Sequence, residues 1–238
     1  MKNNSRALVI SVIGIIIIVG AMVFVGRDLI QRADEGGFFQ APSQGSRETV
    51  RLNPDVEPFS SLSLEGAWDV SVEGGENYSV ELEVSEYAAD EVVVSSTGGM
   101  LRLGVDTLRI GPSLRLRASI VVPALSRIEA SGGTNLELSD LNLDELTVIS
   151  EGASNVEADD VELGNLVLES DGAANMDFSD AEVRNARVRI SGAGNIEVNM
   201  AGGSLTGSLE GVGRLAYSGE VSEEDVEVDG LGTVRRSD

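Results

Sequence analysis

The chain has 238 residues, 42 % of them apolar but only 4 % aromatic, with no cysteine, no histidine and a net charge of −23. Those counts allow an aliphatic core and exclude disulfides, thiolate metal sites, cysteine nucleophiles and histidine general bases. So acidic a surface also excludes the basic footprint that nucleic acid requires, and it favours solubility, cations or basic partners.

In chain order, the first element is apolar. Ala7 to Val25 reads ALVISVIGIIIIVGAMVFV, nineteen residues without a charge. At about 1.5 Å per residue, a helix of that length matches the ~30 Å hydrocarbon layer. Lys2 and Arg6 precede it and predict a cytoplasmic tip. The run exceeds the roughly 7–15 apolar residues of a signal peptide, and no Ala-x-Ala site follows it. Residues 1–26 are therefore expected to be a cytoplasmic tip and an uncleaved single-pass transmembrane anchor. The remainder is expected outside the cytoplasm, in the periplasm or at the cell surface. Without Lys2 and Arg6 the net charge becomes −25, which argues against lying flat on anionic lipid. Residues 27–58 carry three prolines and mixed charges, the composition of a flexible tether, and include the unexplained pair Phe38-Phe39.

Strand patterns follow. WDVSV (68–72), YSVELEV (78–84), EVVVSS (91–96), MLRLGV (100–105) and LRLRASIVV (114–122) alternate or cluster β-branched and apolar residues. Turns such as EGGEN and STGGM separate them, and Pro123 marks a break. Trp68 is expected as an end cap or a core residue of the first layer.

From Ser131 the chain repeats every twenty residues, in copies 131–150, 151–170, 171–190 and 191–210, with a looser fifth over 211–230. Gly132, Gly152, Gly172 and Gly192 fall in register, as do Asn135, Asn155, Asn175 and Asn195. The fifth copy has Arg214 where asparagine would sit. Within the first copy the apolar pairs are Leu136/Leu138, Leu141/Leu143 and Leu146/Val148, each separated by two. Such pairs predict very short strands with one face inward, three to a coil. A four-sided pentapeptide coil is the rival geometry, suggested by the spacing of five. The expectation is an all-β fold: a right-handed parallel β-helix, or β-solenoid, occupying 59–238, with ~20-residue coils. Glycine suits the corner through positive φ, and stacked asparagines can form an internal amide ladder.

The Gly-x-Asn-apolar repeats, the strand-rich half before them and the link VVPALSRIEASGG (121–133) resemble the bacterial family of auto-transporter adhesin head GIN domains. The resemblance covers residues 59 to about 220. It implies a right-handed β-helix in an envelope protein, an adhesion role and no catalytic set. Related envelope β-solenoids are associated with stress sensing.

The residues themselves suggest three kinds of chemistry. SGAGN (191–195) lacks the Lys-Ser/Thr of a phosphate loop and recurs in each copy, so a structural corner is expected there. Glu137, Glu157, Asp177 and Glu197 share a register, as do Asp140, Asp160 and Asp180. Like charges about 5 Å apart either splay into solvent or hold a hard cation, so weak Ca²⁺ binding is the alternative to a screened surface; no other cofactor is indicated. The same rows could suggest a glycosidase, but a regular ladder gives its acids similar environments. Arg184, Arg187 and Arg189 are the basic exceptions of the third copy, and Arg187 and Arg189 are expected to face outward beside Val188 and neutralise nearby acids. The expected function is a membrane-anchored extracytoplasmic β-solenoid presenting a surface for adhesion or envelope interaction, with an envelope protein or glycan as partner and no nucleic acid. A stress-sensing module is the alternative, and a polysaccharide-active enzyme a more distant one.

Overall fold

A computed structural model describes residues 48–106 and 114–237. They form nine strands: β1 (Thr49–Leu52), β2 (Ser61–Gly74), β3 (Ser79–Ser85), β4 (Val92–Thr97), β5 (Met100–Val105), β6 (Leu116–Val122), β7 (Arg127–Ala201), β8 (Ser204–Glu220) and β9 (Glu223–Arg236). A six-residue 3-10 helix, Glu86–Glu91, joins β3 to β4. All five strand runs read from the first half are present. Thr49–Leu52, inside the segment expected to be tether, pairs with β3 instead.

The sheet is mixed, and this corrects the expectation of a purely parallel β-helix. β2 lies between parallel neighbours: Ser61–Leu64 pairs with β5, Asp69–Gly74 with β6, and its other edge with the start of β7. Around this centre three pairings are antiparallel, β1 with β3, β3 with β6, and β4 with β5. For β4 and β5 the reason is local. β4 and β5 are joined through Gly98-Gly99, with φ of 63° and 80°. A two-residue Gly-Gly turn with both φ positive closes a hairpin, whereas a parallel connection needs a crossover.

The expected anchor over Ala7–Val25 lies outside the described residues. Against the expected single-pass localisation, no helix among the described residues is long and apolar enough to cross a membrane.

The repeats are where stacking is regular. β7 runs 75 residues as extended backbone through the copies. β8 continues in parallel at an offset of nineteen, from Ala186↔Leu205 to Ala201↔Glu220, and β9 follows β8 at the same offset. The dropped residue is why Arg214, not residue 215, stands opposite Asn195. All three inward pairs of the first copy are buried, as are their equivalents in the next two. Large and small alternate within a column: Leu138, Ala158, Phe178 and Val198 stack and are all buried. This alternation lets large and small side chains interdigitate, so the interior is filled with hardly any aromatic volume. Each fully buried aliphatic side chain contributes about 1.5–3 kcal/mol. Trp68, 1 % exposed, sits opposite Thr134 and donates from Nε1 to the Glu65 carbonyl at 3.1 Å.

The glycine corner locks the layers together. Gly172 has φ of 137°, and a Cβ there would stand 2.2 Å from the Gly152 carbonyl oxygen. Positive φ and the close approach of the layer beneath each require glycine. Gly133, next to the corner, has open space where a Cβ would point, with nothing within 4 Å, and alanine occupies that place in the next three copies. Gly172→Ala should therefore lose at least about 2 kcal/mol in urea unfolding, through left-handed strain plus layer displacement. Gly133→Ala should stay within about 0.5 kcal/mol of the parent. Equal effects would contradict the stacked corner.

Candidate binding groove along the asparagine ladder

Strand parity sets the site. Asn135 precedes inward Leu136, so its side chain points out, and the same holds in every copy. The four asparagines stack on one outer face and bond in a single direction. Asn155 Nδ2 donates to Asn135 Oδ1 at 2.8 Å, Asn175 Nδ2 to Asn155 Oδ1 at 2.9 Å, and Asn195 Nδ2 to Asn175 Oδ1 at 3.1 Å. The chain of bonds ends on Asp69, whose Oδ1 accepts from Asn135 Nδ2 at 3.1 Å. Arg117 closes it with Nε and Nη2, both 3.1 Å from Asp69 Oδ2. The amide dipoles therefore add. Their positive ends point at the Asp69 carboxylate, and their negative end, at Asn195, has Arg214 in register beside it. The ladder expected inside the coil thus forms in register on the outside.

Beside it runs a row of small residues, Ala67, Gly133, Ala153, Ala173 and Ala193, and below that Thr134, Ser154, Ala174 and Gly194. Together with residues 114–117, which lead into β6, they form an open groove of about 820 Å³ spanning four copies. Among the described residues Asp69 is its one carboxylate, and Arg115 and Arg117 are its cations.

A size exchange supports the floor from beneath. Ser150 Oγ donates to Ser154 Oγ at 2.6 Å across the corner. Two copies on, Ile190 fills the space facing Gly194, where a Cβ would meet it at 3.0 Å. Where one partner is not a hydroxyl the other is left alone: Thr134 Oγ1 and Ser170 Oγ are buried without a hydrogen bond.

The remaining candidate residues are spread out. Gly132, Gly152, Gly172 and Gly192 have φ between 108° and 137° and hold the corner. Glu137 and Glu157 are exposed and Asp177 and Glu197 half-buried, forming a row that borders the asparagines. Asp140 and Asp160 have φ of 54° and 52°, so they make a second corner in the left-handed conformation that aspartate tolerates; Asp180 is exposed. Among the described residues no group of three or more acids is placed to hold a metal ion. Arg184 and Arg187 are exposed, as is Arg189, whose Nη1 reaches Glu169 Oε1 at 3.8 Å.

A second ladder carries no clear sequence signal. Asn185 Nδ2 donates to Asn165 Oδ1 at 3.2 Å and to the Gly164 carbonyl at 3.3 Å, and its Oδ1 accepts the Ser204 amide at 3.1 Å. In its column Glu145 stands before and Ser204 and Glu223 after, so only two copies carry the asparagine. Unlike the groove ladder, it satisfies corner backbone.

Residues 58–197 and 166–238 match the family described as putative auto-transporter adhesin, head GIN domain. A putative adhesin from Bacteroides fragilis has a similar structure, with TM-score 0.62 at 16 % identity, covering 82 % of this chain and all of that one. A putative adhesin from Parabacteroides distasonis gives 0.53 at 13 %, covering 81 % and 98 %. A putative lipid binding protein from the same organism gives 0.52 at 15 %, covering 82 % and 98 %. At these identities the likeness is one of fold. No curated protein matches the sequence.

The two ladders should differ in stability. Asn175→Ala removes exposed amide bonds, which cost about 0.5–1.5 kcal/mol in urea unfolding. Asn185→Ala strands half-buried corner groups and should cost about 1–3 kcal/mol. The reverse order would contradict the assignment of structural work to the second ladder.

Proposed function

The chain belongs to the putative auto-transporter adhesin, head GIN domain family, and from that premise we propose that it is a non-catalytic adhesion domain whose groove holds an extended, uncharged glycan strand. The observation that carries this reading is the free hydrogen-bonding capacity of the ladder. Each bonded asparagine amide keeps one N–H and one oxygen lone pair for a ligand. Those donor–acceptor pairs recur every ~4.8 Å, one per layer. Sugar hydroxyls both donate and accept, and small residues let a strand lie close to the backbone. Acidic polymers fit less well, because the row Glu137, Glu157, Asp177 and Glu197 borders the amides.

Burial disfavours catalysis. A glycosidase acid needs a carboxyl raised by burial. Among the described residues no aspartate or glutamate is buried.

Isothermal titration of the chain with neutral polysaccharides should show binding, and sulfated polysaccharides should bind more weakly. Ala173→Trp places a large side chain in the middle of the groove and should lower affinity at least about tenfold. Glu182→Ala, on another side of the stack, should leave it unchanged. Binding unaffected by Ala173→Trp would remove the groove from adhesion.

A further inference from the structure

The outer edge of β9 has no strand beside it among the described residues. The core is open at that end: Val226 and Val234 are only partly covered and Val228 is 41 % exposed, while Leu231, in register with outward Val212, is 78 % exposed on the outer face. We propose that this edge pairs, antiparallel, with the same edge of a second copy of the chain, across a two-fold axis through Gly230.

The occupant follows from the sequence of β9 itself. Gly230 has φ of 142° and lies on Gly211, so it is the corner of the last layer. A two-fold axis through the corner stacks corner on corner and lays the side before it on the second copy's side after it. Val226 then faces Val234 of the second copy, and Val228 faces Gly232. These are inward columns, in register with Gly207, Leu215, Leu209 and Gly213 of the layer beneath. The core therefore continues across the axis, and every facing pair keeps its inward or outward sense, as pairing requires. Charge matches as well. The side before the corner carries Glu223, Glu224, Asp225, Glu227 and Asp229; the side after it carries Arg235 and Arg236. The axis sets outward Asp225 against Arg235, and sets Glu224, in the column of buried Leu205, against Arg236, in the column of buried Tyr217. Within the chain Glu224 accepts from Tyr217 and Arg236 donates to the Gly219 carbonyl, so Asp225 and Arg235 are the freer pair.

An exposed edge can also carry charge to repel neighbours. A purely repulsive edge would not place two arginines where the two-fold needs them, nor leave the inward-column Val228 uncovered. An isologous pairing of this kind closes at two copies. It also joins two grooves into one particle, and bivalent attachment strengthens surface binding without new contacts.

The chain has no cysteine, so the register can be read by cross-linking. Glu227 faces Thr233 across the axis, and both point outward. Glu227→Cys and Thr233→Cys full-length chains, refolded together and oxidised, should give a disulfide-linked dimer at least about ten times more abundant than either variant gives alone. Asp225→Arg introduced into both chains should cut that yield about tenfold, and adding Arg235→Asp should restore it. No dimer from the mixture, with both variants folded by circular dichroism, would overturn the proposal. So would equal cross-linking by either variant alone, or a failure of Arg235→Asp to rescue.

Discussion

A glycine carbonyl seated directly under the next layer's glycine is the contact on which the rest of the structure depends. It recurs from Gly66 under Gly132, through Gly152, Gly172, Gly192 and Gly211, to Gly230. At each step a Cβ would fall 2.1–2.7 Å from the oxygen below. The backbone can turn there only with positive φ and only without a side chain. That fixes the corner, and a fixed corner fixes register for every residue that follows. Register then decides which side chains enter the core, because a one-residue slip would exchange the two faces of each strand. The apolar columns stay dry for this reason, although the core has few aromatics to fill it.

The same register builds the outer surface. A residue type repeated in the sequence becomes a row in space, and its meaning depends on where the row falls. Asparagines beside the corner become a polarised ladder running into Asp69 and Arg117. Alanines beside them become a groove floor. The acids two places on become a negatively charged border. On the proposed reading, binding would arise from repetition rather than from a convergent cluster, which suits a polymer better than a small molecule. Stacking also leaves a cost at its end: each layer covers the one before, and among the described residues no strand covers the last. β9 carries that exposure in its valines.

Much of this is legible in the sequence. The twenty-residue period and the i, i+2 apolar pairs locate the buried columns, and Ser-Thr-Gly-Gly-Met holds the β4–β5 hairpin in plain view as a two-residue turn. What period alone does not supply is the company β2 keeps. Antiparallel pairing of β1, β3 and β6 joins segments far apart in sequence, and no local pattern distinguishes it from another parallel layer. The outward face of Asn135 follows from its parity with Leu136, whereas the idea of an internal ladder overrides that parity. Asp140 and Asp160 read as candidate ligands because they are acidic and in register; what that reading does not supply is the corner their backbone makes. The Asn165–Asn185 ladder escapes a sequence reading because its column changes residue type at both ends.

The most direct test of in-register stacking is a disulfide between layers. Equivalent residues of adjacent parallel strands lie about 4.8 Å apart, within the Cα separation a disulfide accepts. The double variant Asn155→Cys/Asn175→Cys should close an intrachain disulfide under mild oxidation, read by mass spectrometry after proteolysis. Asn155→Cys/Met176→Cys, displaced by one residue and placed on opposite faces, should keep free thiols. Free thiols in the first variant, or equal closure in both, would contradict the register on which the corner, the ladder and the groove all rest.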